Sequence, residues 1–443
     1  MSNHILIENK LNNFKKKIFI NSDKSLSIRA ILLASQAVGV SKIYNLLESE
    51  DVLNSIKAIN KLGIKILKKN NFYEIYGHGL NGFKPKNNIT ISAGNSGTFG
   101  RLILSSLVKN ETNVKLIGDK SLSKRDFLRV IKPLREFGTK IKSKKNLLPI
   151  IIKGTKFLRP IDYIEKIGSA QCKSAVMIAA LNTPGITKIK AKKSRNHTEL
   201  FFKYLKIPIT LKKGKKFDII KIRGLRQYSA FNYEIPGDIS SASFFIALTV
   251  LSENSELIIK NVNINYTRLG IFKILKMMNA NIKILNKKKY KGELIGDIFV
   301  KSSKNLKSIK CPVELNTTAI DEFLIIFLIA SKAKGISIFK NLQELKKKES
   351  DRLEIGSNIL KLIGVKNQIT NGKNIKIWGN HNLRLNGNYE IKDYMKDHRV
   401  MAMTTIAALT LGGKWKIHDK NSINTSFPDF IKILKNLGAK IED

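Results

Sequence analysis

Cysteine is almost missing. Cys172 and Cys311 are the only two in 443 residues, too few and too far apart for a disulfide framework or a thiolate metal site. A reducing cytoplasm suits such a chain. No grouping of His, Cys and carboxylates has metal-ligand spacing, and no Gly-rich dinucleotide or Walker signature occurs, so neither metal nor cofactor is expected. The longest apolar run, FLIIFLIA at 323–330, is too short to span a bilayer. The opening MSNHILIENKLNNFKKK has neither an apolar signal core nor Arg/Ser-rich transit character. A cytoplasmic protein without a membrane partner is predicted.

Acidic residues are also scarce, 34 against 80 Lys and Arg, for a net charge of +46. Such a charge normally points to nucleic acid. Here the basic residues are spread along the whole chain among many Ile and Asn, with no basic tail or block. A compositional bias toward Lys, Ile and Asn gives the same picture, so a polynucleotide partner is not required. Anionic small molecules would be attracted in either case. With 43% hydrophobic residues the chain has a sizeable core, and its length suits two large domains.

A short phrase recurs along the chain: the end of a helix, a Gly or its substitute, then a strand. It reads LGIKIL at Gly63, FGTKIK at Gly138, LKIPITL at Lys206, MNANIKIL at Asn279, IGVKNQ at Gly364 and LGAKIE at Gly438. Gly suits a helix C-terminus that needs a left-handed residue before the chain turns. The near-even spacing, about 75 residues, predicts six repeated supersecondary units, three per domain.

Seven predicted helices open on capping or anion-binding residues, at 23–35, 94–107, 168–181, 237–251, 317–331, 348–364 and 397–411. Ser, Thr and Asp cap the free N–H groups there, and an anion can take the same place. Lys24, Arg29, Arg101, Lys173, Lys348, Arg352 and Arg399 fall in the first turn or two, where like charge opposes the helix dipole. Repetition of that unfavourable placement suggests a compensating phosphate or carboxylate ligand between the domains.

These stretches together resemble one family. DKSLSIR (23–29), GNSGTFGR (94–101), GDKSLSKR (118–125), SAQCKSA (169–175), SRNHTE (194–199), PGDISSASFF (236–245), IDE (320–322), KKESDRL (347–353), DHRVMAM (397–403) and TSFPDF (425–430) are similar, in order, to the motifs of the 5-enolpyruvylshikimate-3-phosphate synthases. SAQCKSA, SRNHTE and TSFP are similar to the class II branch, whereas Gly97 follows the glyphosate-sensitive form. Asn21-Ser22 stands where Pro-Gly is usual, and Asp126 where Pro follows the arginine.

The resemblance implies an α/β, two-domain enolpyruvyl transferase fold, an inside-out α/β barrel of six βαβαββ repeats. One domain is expected at 22–237 and the other from 1–21 plus 238–443, with the active site in the cleft between them. The implied reaction moves the enolpyruvyl group of phosphoenolpyruvate to the 5-hydroxyl of 3-phosphoshikimate, by addition and elimination, in the shikimate pathway.

By the same resemblance Lys24, Ser25, Arg29, Ser169, Gln171, Arg195, Asp321 and Lys348 bind 3-phosphoshikimate. Lys24, Asn95, Gly97, Thr98, Arg125, Gln171, Arg352 and Arg399 bind phosphoenolpyruvate. Asp321, Glu349 and Lys24 are catalytic, with Asp321 assigned to the hydroxyl and Glu349 to the methylene. His197 is expected to support Arg195, His398 to lie behind the site, and Lys346 and Lys347 to be solvated. No cofactor is implied, and a monomer is expected. The alternatives are a UDP-N-acetylglucosamine enolpyruvyl transferase, which would need a reactive Cys in a mobile loop, and an RNA-binding protein, which would leave the ordered motifs without a purpose.

Overall fold

A computed structural model describes residues 3–443. The chain divides into two compact units. One holds Ser22–Ile235 with Tyr290–Glu293; the other holds the segment up to Asn21, Pro236–Lys289 and Leu294–Asp443.

Each unit contains three sheets built on one plan. Ile89–Ser92 runs parallel to Val114–Ile117, which pairs antiparallel with Ile150–Lys153, itself antiparallel to Lys140–Ser143. With the helices Gly97–Ser106 and Leu128–Glu136 between the strands, this is a βαβαββ repeat. Asp162–Glu165 opens a second repeat of the same kind. Others borrow strands from distant sequence. Asn232–Glu234 pairs parallel with Val38–Tyr44, and Lys15–Ile18 with Glu256–Asn263. His4–Ile7 runs antiparallel to Gly412–His418. In two repeats a strand shrinks to isolated bridges, at Lys310↔Ile338 and Leu6↔Glu442.

Among the described residues no sheet closes into a barrel, and helices occupy the middle of each unit. In the Ser22–Ile235 unit these are α1 (Lys24–Ser35), α2 (Gly97–Ser106) and α3 (Ala170–Leu181). In the other they are α4 (Ile239–Leu251), α5 (Phe323–Ser331) and α6 (His398–Leu411). Helix α2 packs on α1 and α3, and α4, α5 and α6 pack on one another. Every residue of α4 and α5 is buried, and in α6 only Arg399 is partly accessible. A helix that is apolar all round has to be surrounded. The outer helices are amphipathic, as Leu128–Glu136 and Phe430–Leu437 show.

All six echo positions have positive φ: Gly63 at 89°, Gly138 at 111°, Lys206 at 56°, Asn279 at 65°, Gly364 at 73° and Gly438 at 108°. The recurring phrase is therefore a recurring left-handed helix terminator, one per repeat.

Two helix starts differ from the sequence expectation. The stretch 317–331 is broken: a short helix Asn316–Ala319 ends before α5 begins at Phe323, leaving Asp321 in the turn. The helix expected from Lys348 begins at Arg352, because the Asp351 carboxylate accepts from the Glu354 N–H and closes it there. Gln343–Lys347 forms a separate 3-10 turn, with Lys346 and Lys347 exposed.

Backbone strain at the echo positions is testable. No atom lies within 4 Å of a Cβ added at Gly364, so Gly364→Ala changes only the backbone preference and should lower stability by about 1 kcal/mol. Lys206→Gly should raise it by about 0.5–1 kcal/mol. Urea-unfolding midpoints check both.

Candidate active site

In the Ser22–Ile235 unit the sequence places a capping residue before each inner helix. Asp23, Ser96 and Ser169 accept from the N–H groups of Leu26, Phe99 and Cys172. Lys24, the first residue of α1, donates from Nζ to Asp51 Oδ2 at 2.7 Å. Arg29 lies one turn on and is buried. Its Nε donates to Thr198 Oγ1 at 2.9 Å, Nη1 to the Ser25 carbonyl at 3.0 Å and Nη2 to Ser174 Oγ at 3.1 Å. Burial pushes the Arg29 guanidinium down to about 10, opposed by Asp23, so it remains charged at neutral pH. Behind it Lys173 and Glu199, both buried, pair at 2.6 Å.

The start of α2 makes a second group. Asn95 donates to Asp119 Oδ2 at 2.6 Å and accepts from Arg125 Nη2 at 2.9 Å; Arg125 also donates to Ser121 Oγ. Arg101 Nη1 donates to Gln171 Oε1 at 2.7 Å, and Gln171 Nε2 donates to Thr98 Oγ1 at 2.9 Å. A Cβ at Gly97 would stand 2.7 Å from Arg101 Nη1 and 3.1 Å from Arg125 Nη1, so two guanidinium groups close over a residue without a side chain.

In the other unit Asp321, Lys348, Glu349, Arg352 and Arg399 meet. Lys348 Nζ donates to Asp321 Oδ1 at 3.0 Å, and Arg352 Nη1 is 3.6 Å from the same oxygen. Arg352 Nη2 donates to Glu349 Oε2. Arg399 Nη1 donates to the Asp321 carbonyl at 2.6 Å. Arg352 is only 1% exposed and forks onto Asp397, Nε to Oδ2 at 2.9 Å and Nη2 to Oδ1 at 3.1 Å. Burial alone would raise the Asp397 carboxyl. Arg352 outweighs it and holds Asp397 below the usual carboxylate range, while Arg352 rises above its own ordinary value.

Several cations in the first turn of a helix or just before it therefore answer to carboxylates of the protein. Lys24 has Asp51, Lys173 has Glu199, Lys348 has Asp321 and Arg352 has Asp397. Their placement does not by itself demand a ligand, contrary to the sequence argument. Apart from Asp321, these acidic partners, like Asp119, escaped notice because they sit far away in sequence. Glu322 escaped as well: it is 1% exposed, accepts from Ser240 Oγ and lies 3.9 Å from Arg399 Nη1. Its adjacency to Asp321 in IDE was the available signal.

Both departures from the family pattern have local bonds. Asn21 donates to Asp429 Oδ2 at 2.7 Å and accepts from the Asp429 N–H at 3.0 Å. Asp126 Oδ1 accepts from the Leu128 N–H at 2.7 Å. His398 Nδ1 is 3.4 Å from the Thr425 hydroxyl. Cys172 and Cys311 are buried, which raises both thiols, Cys311 to about 11, so neither is a poised nucleophile. Among the described residues no three His, Cys or carboxylate side chains form a metal cluster, and no helix is long and apolar enough to cross a membrane.

Six βαβαββ repeats around buried helices, with cations gathered at the helix starts, define an enolpyruvyl-transferase fold. The enolpyruvyl transferase NikO from Streptomyces tendae shares it at a TM-score of 0.78 over 99% of this chain and 98% of that one, with 13% identity. The EPSP synthase from Acinetobacter baumannii matches at a TM-score of 0.86 and 32% identity, covering 99% of both chains. The family model for EPSP synthase, 3-phosphoshikimate 1-carboxyvinyltransferase, matches residues 9–434, and the chain belongs to that family. Curated 3-phosphoshikimate 1-carboxyvinyltransferases are similar throughout. That of Vesicomyosocius okutanii is 39% identical over 98% of both chains, and that of Streptococcus mutans 38% identical over 94% of this chain and 96% of the other.

Asp397→Asn should destabilise the protein by about 3–5 kcal/mol at neutral pH, because Arg352 keeps its burial and loses its charged fork. The Asp397 carboxyl is held low, so its contribution is complete above the unfolded carboxylate value and is lost as pH falls through the folded one. Urea midpoints between pH 3 and 7 should fall less steeply with acid in the variant than in the parent.

Proposed function

We propose that this chain transfers the enolpyruvyl group of phosphoenolpyruvate to the 5-hydroxyl of 3-phosphoshikimate and releases phosphate. The observation that carries the reading is the convergence of Asp321, Lys348, Glu349, Arg352 and Arg399 at one place in a chain that matches the EPSP synthase family over residues 9–434. Ser25, Arg29, Ser169, Gln171, Arg195, Asp321 and Lys348 hold 3-phosphoshikimate. Arg125, Arg352 and Arg399, with Asn95, Gly97 and Thr98, hold phosphoenolpyruvate, and Lys24 serves both. Arginine fits because its planar fork matches carboxylate and phosphate oxygens.

The chemistry asks for two proton movements. Asp321 takes the proton of the 5-hydroxyl as its oxygen bonds to C2 of phosphoenolpyruvate, and Glu349 delivers a proton to C3. The tetrahedral adduct then loses phosphate from C2 and returns a proton from the new methyl group to the Glu349 carboxylate, restoring the double bond. Fixed cations stabilise the charge on the carboxylate and the departing phosphate, and joint binding removes most of the entropic barrier to encounter. Each carboxylate already touches a cation: Asp321 has Lys348 and Glu349 has Arg352.

Phosphate release from purified protein with both substrates and no added metal tests the reading, with UDP-N-acetylglucosamine as the competing acceptor. With phosphoenolpyruvate present, turnover is expected with 3-phosphoshikimate and not with the nucleotide sugar, and kcat should fall about 100-fold or more in Glu349→Gln. Turnover only with the nucleotide sugar, or none from folded protein, overturns it. Gly97→Ala should push the Arg101 and Arg125 guanidinium groups aside and raise KM for phosphoenolpyruvate about tenfold, a loss of ~1.4 kcal/mol.

A further inference from the structure

The hairpin formed by Asn281–Tyr290 and Glu293–Lys301 is divided between the two units. Its second arm, Glu293–Lys301, pairs antiparallel with Glu256–Asn263, whereas Tyr290–Glu293 at its tip groups with Ser22–Ile235. All four tip residues are engaged there. Tyr290 Oη accepts from the Glu234 N–H at 2.9 Å, and its ring lies 5.6 Å from that of Tyr233. Lys291 donates to the Asn232 carbonyl. Gly292 sits at φ 91°, where an added Cβ would be 2.8 Å from the Leu200 carbonyl oxygen. Glu293 is 2% exposed and accepts from His197 Nδ1 at 2.6 Å; His197 is 1% exposed.

Burying a carboxylate at a hairpin tip is unfavourable by several kcal/mol unless the charge is used. What it meets is the first turn of the helix His197–Tyr204. That turn ties three features together. His197 binds the tip, Thr198 accepts from Arg29, and Glu199 pairs with Lys173. The loop just before it carries Arg195, two residues from His197. Beside the dominant effect of burial, Asp23 and Glu199 raise the Arg29 guanidinium, Arg195 lowers it as a neighbouring cation does, and Glu293 adds a smaller rise, so the tip carboxylate belongs to the same charge cluster as two arginines of the substrate set.

We propose that Glu293 is a positioning residue for the 3-phosphoshikimate side of the site: it fixes His197, and through His197 the loop that presents Arg195. The inference rests on the proposed function and deepens it. Sequence reasoning stopped at His197, because its partner lies 96 residues away.

A double-mutant cycle tests it. Binding of 3-phosphoshikimate alone is measured calorimetrically for the parent, Glu293→Ala, Arg195→Ala and the double variant, with turnover and melting temperature alongside. Glu293→Ala should weaken binding about tenfold when Arg195 is present and less than twofold when it is absent, while KM for phosphoenolpyruvate stays within twofold. An equal loss in both backgrounds, or no loss, overturns the proposal, as does a fall in melting temperature with unchanged affinity. Should Glu293→Ala fail to fold, Glu293→Gln, which retains an acceptor for Nδ1–H, runs through the same cycle with an expected threefold effect confined to the Arg195 background. Failure of the parent to bind or turn over 3-phosphoshikimate would instead remove the functional reading, so the two failures are distinct.

Discussion

Charge buried at the start of a helix is the constraint around which both units are arranged. A guanidinium or ammonium group there opposes the helix dipole and loses its water, and removing its counter-charge in a buried setting is destabilising by several kcal/mol. Arg352 shows the solution most fully. Asp397, itself the cap of α6, holds its fork, and Glu349 and Asp321 take the remaining edge. One carboxylate thus caps a helix, neutralises an arginine and fixes its orientation. Asp51, Glu199 and Asp119 do related work in the other unit. The +46 of the whole chain has no counterpart here, because cations and acids at these sites nearly balance. Affinity for an anion has to come from aimed donors, not from bulk charge.

The repeats were visible in the sequence because their marker is local. A left-handed residue at a helix end is set by its own backbone, so Gly63, Gly138, Gly364 and Gly438 announce it, and Asn279 and Lys206 fill the same place without the glycine. Fold class, and the motif residues of both units, followed from spacing and resemblance. Helix boundaries were less visible. Asp351 ends the ambiguity in KKKESDRL by capping at its own position, which leaves Lys348 and Glu349 on the approach to the helix. The turn at Asp321 interrupts an apolar run that periodicity alone would continue.

The carboxylate partners stayed hidden for a different reason. Asp51 is 27 residues from Lys24, Asp397 is 45 from Arg352 and Glu293 is 96 from His197. Each pairing is made by the sheet order and by hairpins that bring distant segments together, and no local pattern encodes it. The same holds for Asn21, whose bonds to Asp429 join the start of the chain to its end. Where the family pattern has Pro-Gly, this chain holds the backbone with a side-chain amide.

On the proposed function, the gathered carboxylates and cations move a solvent-derived proton to C3 of phosphoenolpyruvate and then remove one. Turnover in deuterium oxide, with the product examined by proton NMR, tests this most directly. Addition and elimination through a methyl group puts deuterium into the vinyl methylene of the product, at a rate that falls with Glu349→Gln. Product formed at the full rate with no deuterium in that methylene would contradict the account, since the transfer would then proceed without protonation of C3.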